Sequence, residues 1–474
     1  MKVWILQIPR IDNELSWGLR EAANLFEKQN VEVEIINFND TMYKNFFNTD
    51  AWPTIEEFGV LGQGKEKLPM QKIEKLFYSA VSNVQPDDIM LWSIFSTESR
   101  EWFLLLNILF KKKFKNKIAI GGSGCRHPGE TGLESEWGDW LINYKLVDTI
   151  FLGESSKTIQ EFCQSNFTIT GKMYNQTKQV PGLGFLPKKL LFKDSPFNDP
   201  AYKSKVCYAH IPSSKPKEQP AVSIHFTQGC VKKCTFCDVP LSTPIWNMKS
   251  ADDVLDEIKY YHDLVGATYF NFQDNTINGS TSMFLKFLRL LSAWKDKENI
   301  EIAWSGQFAC KTKSHFSEEY FNLLAETGAK LAVGFDHCSD DVLDHMKKLY
   351  KWDDIEWFIL KCKKHNVDLK LAMWIVGYPT ETEKDLAEYN KLFNLIESNE
   401  LPISTHQVIP CSIIRNSPLE KIVDIDYRQP NNWTKDTLTH DVRLQRKKWI
   451  DDKLIALGQG YFKYDNSKMR NSRI

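Results

Sequence analysis

Twice along this chain, apolar runs of strand length alternate with amphipathic stretches of helical period, and that repeated order leaves few folds open. Residues 2–8 (KVWILQI) and 31–37 (VEVEIIN) have strand length, and between them Leu15, Leu19, Ala22, Ala23 and Phe26 fall on one helical stripe. Further strands are expected at 89–92, 118–120 and 147–152, with a helix from Ser99 to Lys113 whose last turn carries three lysines, the favourable sign for a helix C-terminus. Strands separated by helices predict a parallel sheet wound on both faces, with ligands at the carboxyl ends of its strands. Residues 41–85 break the rhythm and read as an aromatic-rich insertion.

From 166 to 219 prolines punctuate the sequence (Pro181, Pro187, Pro196, Pro200, Pro212, Pro216), which reads as a connector. A second alternating series follows, with strands expected at 222–226, 268–272, 301–304, 330–335, 369–376 and 405–409. Ser250 with Asp253 reads as a capping box ahead of Val254, Leu255, Ile258, Tyr261 and Val265, and Thr380 with Glu383 repeats the signal. Six βα units suit a partial relative of the closed eight-stranded barrel. The fold class is therefore α/β: a Rossmann-like, doubly wound parallel sheet over 1–165, a connector over 166–219, a partial (β/α)6 barrel over 220–415 and a C-terminal tail over 416–474.

Sixty basic against 61 acidic residues leave a net charge of −1, which argues against recognition of nucleic acid or anionic membrane by bulk electrostatics. The longest apolar run, Phe103 to Phe110, is well short of the ~20 residues of a membrane helix, and the opening segment lacks the pattern of a secretory signal, so a cytoplasmic protein is expected. Ten cysteines in 474 residues are too sparse for a disulfide scaffold.

Three of them form Cys230-Val-Lys-Lys-Cys234-Thr-Phe-Cys237, directly after the first strand of the second series, where parallel α/β folds build active sites. Three thiolates within eight residues suit three irons of a cubane cluster, with the fourth iron left open to an exogenous ligand. The bland alternative is a structural zinc with His225 as fourth ligand, disfavoured because zinc knuckles use paired CxxC units and rarely sit on a strand-end loop of a barrel.

CVKKCTFC resembles the CxxxCxxC signature of the radical SAM superfamily, with Phe236 as the aromatic before the last cysteine. Other segments of 220–415 resemble the same family: Gly229-Cys230, Phe272-Gln-Asp274-Asn275, Gly334-Phe-Asp336-His337 with the following Ser339-Asp-Asp-Val-Leu343, and Gly377-Tyr-Pro-Thr-Glu381-Thr382. Asp336-His337 departs from the family's usual Glu-Ser pair. The resemblance implies a 4Fe–4S cluster on Cys230, Cys234 and Cys237. It also implies S-adenosylmethionine (SAM) chelated at the open iron and cleaved by one electron to a 5′-deoxyadenosyl radical. By position it assigns Asp274 and Asn275 to the methionine amine, and Ser305, Gln307 and Asp336 to carboxylate and ribose. Phe236, Val376, Gly377, Val408 and Ile409 are assigned to the remaining SAM surface. An electron donor such as flavodoxin or ferredoxin is implied as partner.

The first 165 residues resemble the cobalamin-binding domain that precedes the radical domain in one branch of that superfamily. The marks are Ser93 to Thr97 after the third strand, Gly121-Gly122 after the fourth, and Gly153-Glu154 after the fifth. No DxHxxG sequence is present to offer cobalt a histidine. With cobalamin the resemblance implies methyl transfer to an unactivated centre; with an empty first domain it implies a rearrangement, cyclisation or oxidation. A methylthiotransferase is disfavoured because Cys125 and Cys163 fall short of a second three-cysteine set. A non-catalytic iron–sulfur protein is the reading from another class. Cys310, Cys338 and Cys411, just beyond expected strands, and His337 and His406 are weak catalytic candidates. Arg443, Arg446, Lys447 and Lys448 read either as a solvated helix face or as contacts to an anionic substrate, with the tail a candidate substrate cap.

Overall fold

The computed structural model describes residues 1–8, 17–38, 41–42, 70–94, 97–127, 130, 133–153, 156–174, 221–243, 246–426 and 432–459. Most of the connector, the centre of the 41–85 insertion, Cys207 and Glu154 lie outside the described residues. Two compact units divide the chain, Met1–Glu218 and Gln219–Ile474.

In the first unit, strands β1 (Val3–Gln7), β2 (Val33–Asn37), β3 (Ile89–Ser93), β4 (Lys117–Gly121), β5 (Thr149–Leu152) and β6 (Gly171–Tyr174) form one sheet in the order β2-β1-β3-β4-β5-β6. Every pairing is parallel. Successive side chains of a strand point to opposite faces, and the two apolar layers follow that alternation. Leu6, Met90, Trp92, Ile118, Ile120, Ile150 and Leu152 pack on one side, while Val3, Ile5, Ile89, Leu91, Ala119 and Phe151 pack on the other. β6 is a correction to the sequence reading, which ended the sheet at five strands. GKMY is short and half polar, so alternation alone does not reveal it, and it is stitched on by pairing with β5. The order reverses beside β1, and the strand ends there form the crevice in which such sheets bind ligands.

The second unit holds β7 (Ala221–Ile224), a two-stranded ribbon of β8 (Thr227–Gln228) and β9 (Asn247–Met248), and then β10 (Tyr269–Phe272), β11 (Ala303–Phe308), β12 (Ala329–Asp336), β13 (Asp368–Val376) and β14 (His406–Pro410). Its large sheet runs β14-β13-β12-β11-β10-β7, again parallel throughout. Six strands in sequential order are the partial barrel that the sequence implied. Helix Thr281–Glu298 shows how it is packed: Phe284, Phe287, Leu288 and Leu291, at helical spacing, are buried, and Phe284 and Phe287 meet the rings of Phe226, Phe272 and Trp304. Ser250 caps helix Ala251–Val265 by accepting from Asp253 N–H. The second start signal is displaced by two residues: Thr382 and Asp385, not Thr380 and Glu383, form the capping box of helix Glu383–Ala387. Among the described residues no helix is long and apolar enough to cross a membrane.

The C-terminal helix His440–Ala456 corrects the sequence reading more deeply. Arg443, Arg446 and Lys447 are buried, so they form neither a solvated face nor a surface free for substrate. Arg443 lies 3.7 Å over the Trp433 ring and donates to Trp433 O at 2.8 Å. Lys447 pairs with Asp451, and only Lys448, paired with Asp452, faces water.

Candidate functional site

The carboxyl ends of the second sheet converge on the loop Cys230–Cys237. The loop leaves β7 through Phe226 and Thr227, whose N–H groups both donate to Asp274 at the end of β10. Buried Asp274 is pushed up to about 6 by desolvation, against these hydrogen bonds. Its two oxygens clamp two strand ends together. Asn278 makes a second clasp, donating to Ala309 O at 2.9 Å and accepting from Ala309 N–H at 2.8 Å. Asn275 and Gln307 are exposed beside these clasps, and Ser305 donates to Asn271 Oδ1 at 2.9 Å.

Cys230, Cys234 and Cys237 are free thiols, partly buried. Cys230 Sγ is 3.2 Å from Thr276 Oγ1. Burial pushes the Cys237 thiol up to about 12, and it raises Cys234 as well, where Lys348 works against it. Among the described residues no three His, Cys, Asp or Glu side chains stand around one ion. His225 Nδ1 lies 3.4 Å from Thr227 O. A cubane cluster holds its thiolates farther apart than one ion does, and three unbridged thiols on one loop are its donor chemistry. The residues fit such a cluster in number and type.

Lys232 within the loop and Lys311 and Lys348 beside it are three lysines to which the sequence reading assigned no role at the site. Lys348 forms a buried ion pair with Asp336, and Tyr350 Oη donates to Gly334 O at 3.0 Å beside it. Burial lowers the pKa of Lys348, but Asp336 and Cys234 outweigh it and hold the ammonium above its ordinary range. Lys232 donates to Cys310 O at 2.8 Å and lies 4.6 Å from the Tyr350 ring. Lys311 donates to Asn278 O, Gly279 O and Thr281 Oγ1 at 2.6, 3.1 and 2.9 Å. Burial pulls both down to about 8, helped by Lys348 at Lys232 and by Lys232 at Lys311. Phe236 stands under Lys348, 5.5 Å from its ammonium, against Val342, Met346, Tyr378 and Cys411.

Asp336 adopts φ +68°, a left-handed turn that carries the chain from β12 into His337. His337 is fully buried, and both ring nitrogens are engaged. Nδ1 accepts from Ser339 N–H at 2.9 Å, so Nε2 carries the proton and donates to Glu381 at 3.0 Å. Glu381 also accepts from Gly377 N–H at 2.7 Å and from Arg446 Nη1 at 2.8 Å. Val376 O accepts from Cys411 N–H at 2.8 Å, so the backbone around Val376 and Gly377 is tied to β14 and to the C-terminal helix. Gly377 has φ +69°, and a Cβ there would stand 2.4 Å from Arg443 Cγ. Val408 is buried in β14.

The remaining candidates are enclosed. Cys310, Cys338 and Cys411 are buried, and desolvation raises all three thiols, Cys310 and Cys411 to about 12. His406 is held down to about 4 by burial and accepts from Trp374 Nε1 at 3.1 Å.

In the first unit the strand ends are built by omission. Gly122 follows β4 with φ +109°, and a Cβ there would lie 2.4 Å from Ile94 O; at Gly153, φ +75°, it would lie 3.1 Å from the Tyr174 ring. Gly121 ends β4 and Ser93 ends β3, paired in register. Thr97 opens helix Thr97–Lys113. Arg100 is buried beside this edge, donating to Gly124 O at 2.8 Å and Arg126 O at 2.9 Å.

Residues 224–393 match the Radical SAM superfamily. A tRNA-2-methylthio-N(6)-dimethylallyladenosine synthase of Vibrio cholerae serotype O1 is 25% identical over 217 residues, which cover 43% of this chain and 44% of that protein. The same-named synthase of Yersinia pseudotuberculosis serotype O:1b is 25% identical over 212 residues, 42% of this chain and 43% of its own. The chain thus spans under half the length of these curated relatives. Among solved structures, the radical S-adenosylmethionine methyltransferase TsrM from Kitasatospora setae, with cobalamin and a [4Fe-4S] cluster bound, aligns over 89% of this chain and 78% of its own at TM-score 0.59 and 15% identity. The cobalamin-dependent S-adenosylmethionine radical enzyme OxsB, with aqua-cobalamin and S-adenosylmethionine bound, aligns over 95% of this chain and 56% of its own at TM-score 0.55 and 14% identity. At such identities the likeness is one of fold.

Proposed function

We propose, from the match of residues 224–393 to the Radical SAM superfamily, that the protein is a cobalamin-dependent radical SAM methyltransferase acting on an unactivated centre. One observation carries the reading: a three-thiol loop at the first strand end of one parallel sheet shares a chain with a glycine-paved strand end in another. When bound, a 4Fe–4S cluster with SAM supplies one-electron cleavage of the sulfonium, and cobalamin supplies a methyl group.

The chain's own residues bind and orient. Cys230, Cys234 and Cys237 hold the metal centre, and the Asp274 and Asn278 clasps fix the strand ends that carry it. Exposed Asn275 and Gln307, with Ser305 behind them, are the polar groups offered to the amino acid part of SAM. Asp274 orders the loop beneath them, and Asp336 sets the Lys348 ammonium at the loop. Phe236, Val376 and Val408 exclude water from the apolar side, and Gly377 keeps its turn narrow. In the first unit, Ser93, Thr97, Gly121, Gly122 and Gly153 mark the strand-end edge assigned to cobalamin; Gly122 and Gly153 are exposed there, and their missing Cβ atoms leave room for Ile94 and Tyr174. Glu154 is assigned there by sequence position alone.

A methylthiotransferase is the second reading, favoured by the names of the sequence relatives. The geometry of the first unit speaks against it. Cys125 packs in the apolar layer on one face of the sheet and Cys163 against the layer on the other, so the two cannot share a metal cluster.

Anaerobic expression in a cobalamin-fed host, followed by iron, sulfide and cobalt quantification and an assay for 5′-deoxyadenosine or S-adenosylhomocysteine, tests the proposal. One four-iron cluster and one cobalt per chain, with SAM consumed, is the expected result. Two clusters per chain would select the second reading; an iron-loaded protein inert toward SAM would defeat both.

A further inference from the structure

Lys232, Lys311 and Lys348 gather three ammonium groups around one three-thiol loop, drawn partly or wholly out of water. Among the described residues only one carboxylate, Asp336, forms an ion pair with any of them, and its partner is Lys348. Among the described residues the partners of Lys232 and Lys311 are neutral oxygens: the carbonyls of Cys310, Lys348, Asn278 and Gly279, and the Thr281 hydroxyl. Two of the cations, Lys232 and Lys348, are crowded over the same Tyr350 ring, at 4.6 and 5.8 Å from its centre. Like charges collected away from water oppose folding unless a counter-charge joins them. The thiols are the groups placed to provide it: Lys232 lies between Cys230 and Cys234 in the loop, and Lys311 donates to Asn278 O, two residues beyond the Thr276 hydroxyl that stands 3.2 Å from Cys230 Sγ.

A thiol that ligates metal does so as thiolate. Three thiolates on an iron–sulfur core make an anionic centre whose negative charge grows by one on reduction. Resting on the reading of Cys230, Cys234 and Cys237 as cluster ligands, we infer that Lys232 and Lys311 are the counter-charge of this centre and make it easier to reduce. Net charge around a cluster is one of the levers that set its potential. Lys348, neutralised by Asp336, contributes less.

The test uses the full chain, reconstituted anaerobically without SAM, as wild type, Lys311→Met, Lys232→Met and Lys311→Arg. Each methionine variant is expected to lower the equilibrium constant for one-electron reduction about tenfold, a fall of about 59 mV in a potentiometric EPR titration. Lys311→Arg, which keeps the charge, is expected to stay within a factor of two to three of wild type, about 20–30 mV on the same scale. The iron-free methionine variants are expected to melt no lower than iron-free wild type, because a crowded cation has been removed. Equal iron content with unchanged potentials in both methionine variants overturns the inference. So does a lower melting temperature shared by Lys311→Met and Lys311→Arg with no change in potential, which would make the lysine a tether for carbonyls. Should Lys311→Met fail to retain iron, recovery in Lys311→Arg supports the counter-charge and its absence refutes it. A wild type that takes up no iron refutes the cluster reading itself, and the inference with it.

Discussion

The two six-stranded parallel sheets of this chain are alike in plan and opposite in how they finish their strand ends. In the second unit nearly every strand end is closed by a charged or amide side chain: Asp274 on Phe226 and Thr227, Asn278 on Ala309, Glu381 on Gly377, and Asp336 on Lys348. In the first, the ends at Gly121, Gly122 and Gly153 carry no side chain, and the Ile94 carbonyl and the Tyr174 ring stand where a Cβ would go at Gly122 and Gly153. The first style suits a compact charged centre that must be held at several points. The second suits a wide, flat ligand that needs access more than tethering. Strand order sets where a site forms, and side-chain chemistry or its absence decides what the site takes.

The contrast can be broken at four places. Cys230→Ala is expected to abolish iron uptake and SAM cleavage while cobalt binding by the first unit persists; loss of both would show that the sites are not separable. Asp336→Asn leaves Lys348 as an unpaired buried cation and is expected to cost about 3–5 kcal/mol in urea unfolding of the second unit. A cost below 1 kcal/mol would show that water or the thiols already balance Lys348. Gly122→Ala forces a left-handed alanine onto the Ile94 carbonyl and is expected to destabilise the first unit by about 3 kcal/mol. Cobalt binding should be lost with it and iron uptake retained, which separates the two styles most directly. Ser250→Ala removes one helix cap remote from both sites and is expected to cost about 1 kcal/mol with neither metal content altered.

How much of this was legible depends on how local each feature is. The cysteine loop is eight consecutive residues after a strand, and the strand ends are marked by hydrophobic runs that stop, so both can be read directly. The Asp336–Lys348 pair and the position of Lys311 depend on strands far apart in sequence meeting at one end. The nearest signal was Lys311 following Cys310 just beyond a strand, together with the adjacent lysines 347 and 348. The C-terminal helix was misread for a different reason. Arg443, Lys447, Ile450 and Leu454 recur at helical spacing, and Ile450 and Leu454 are buried. The apolar stripe therefore pointed inward all along, and its arginines lie on the buried side because Trp433, Glu381 and Glu383 receive them. In this helix the period of the apolar residues is a better guide to solvent exposure than charge is. β6 escaped because four residues with one buried apolar side chain carry almost no alternation.

The contact of Gly377 with Arg443, and of Glu381 with Arg446, also orders events in time. During synthesis the six strands of the second sheet are all available once residue 410 has emerged, and a chain growing N-terminal end first begins to fold them at that point. The turn after β13 then still lacks the two arginines that brace it, which follow more than 30 residues later in the sequence. A nascent chain paused in that interval has a complete sheet with an unfinished rim.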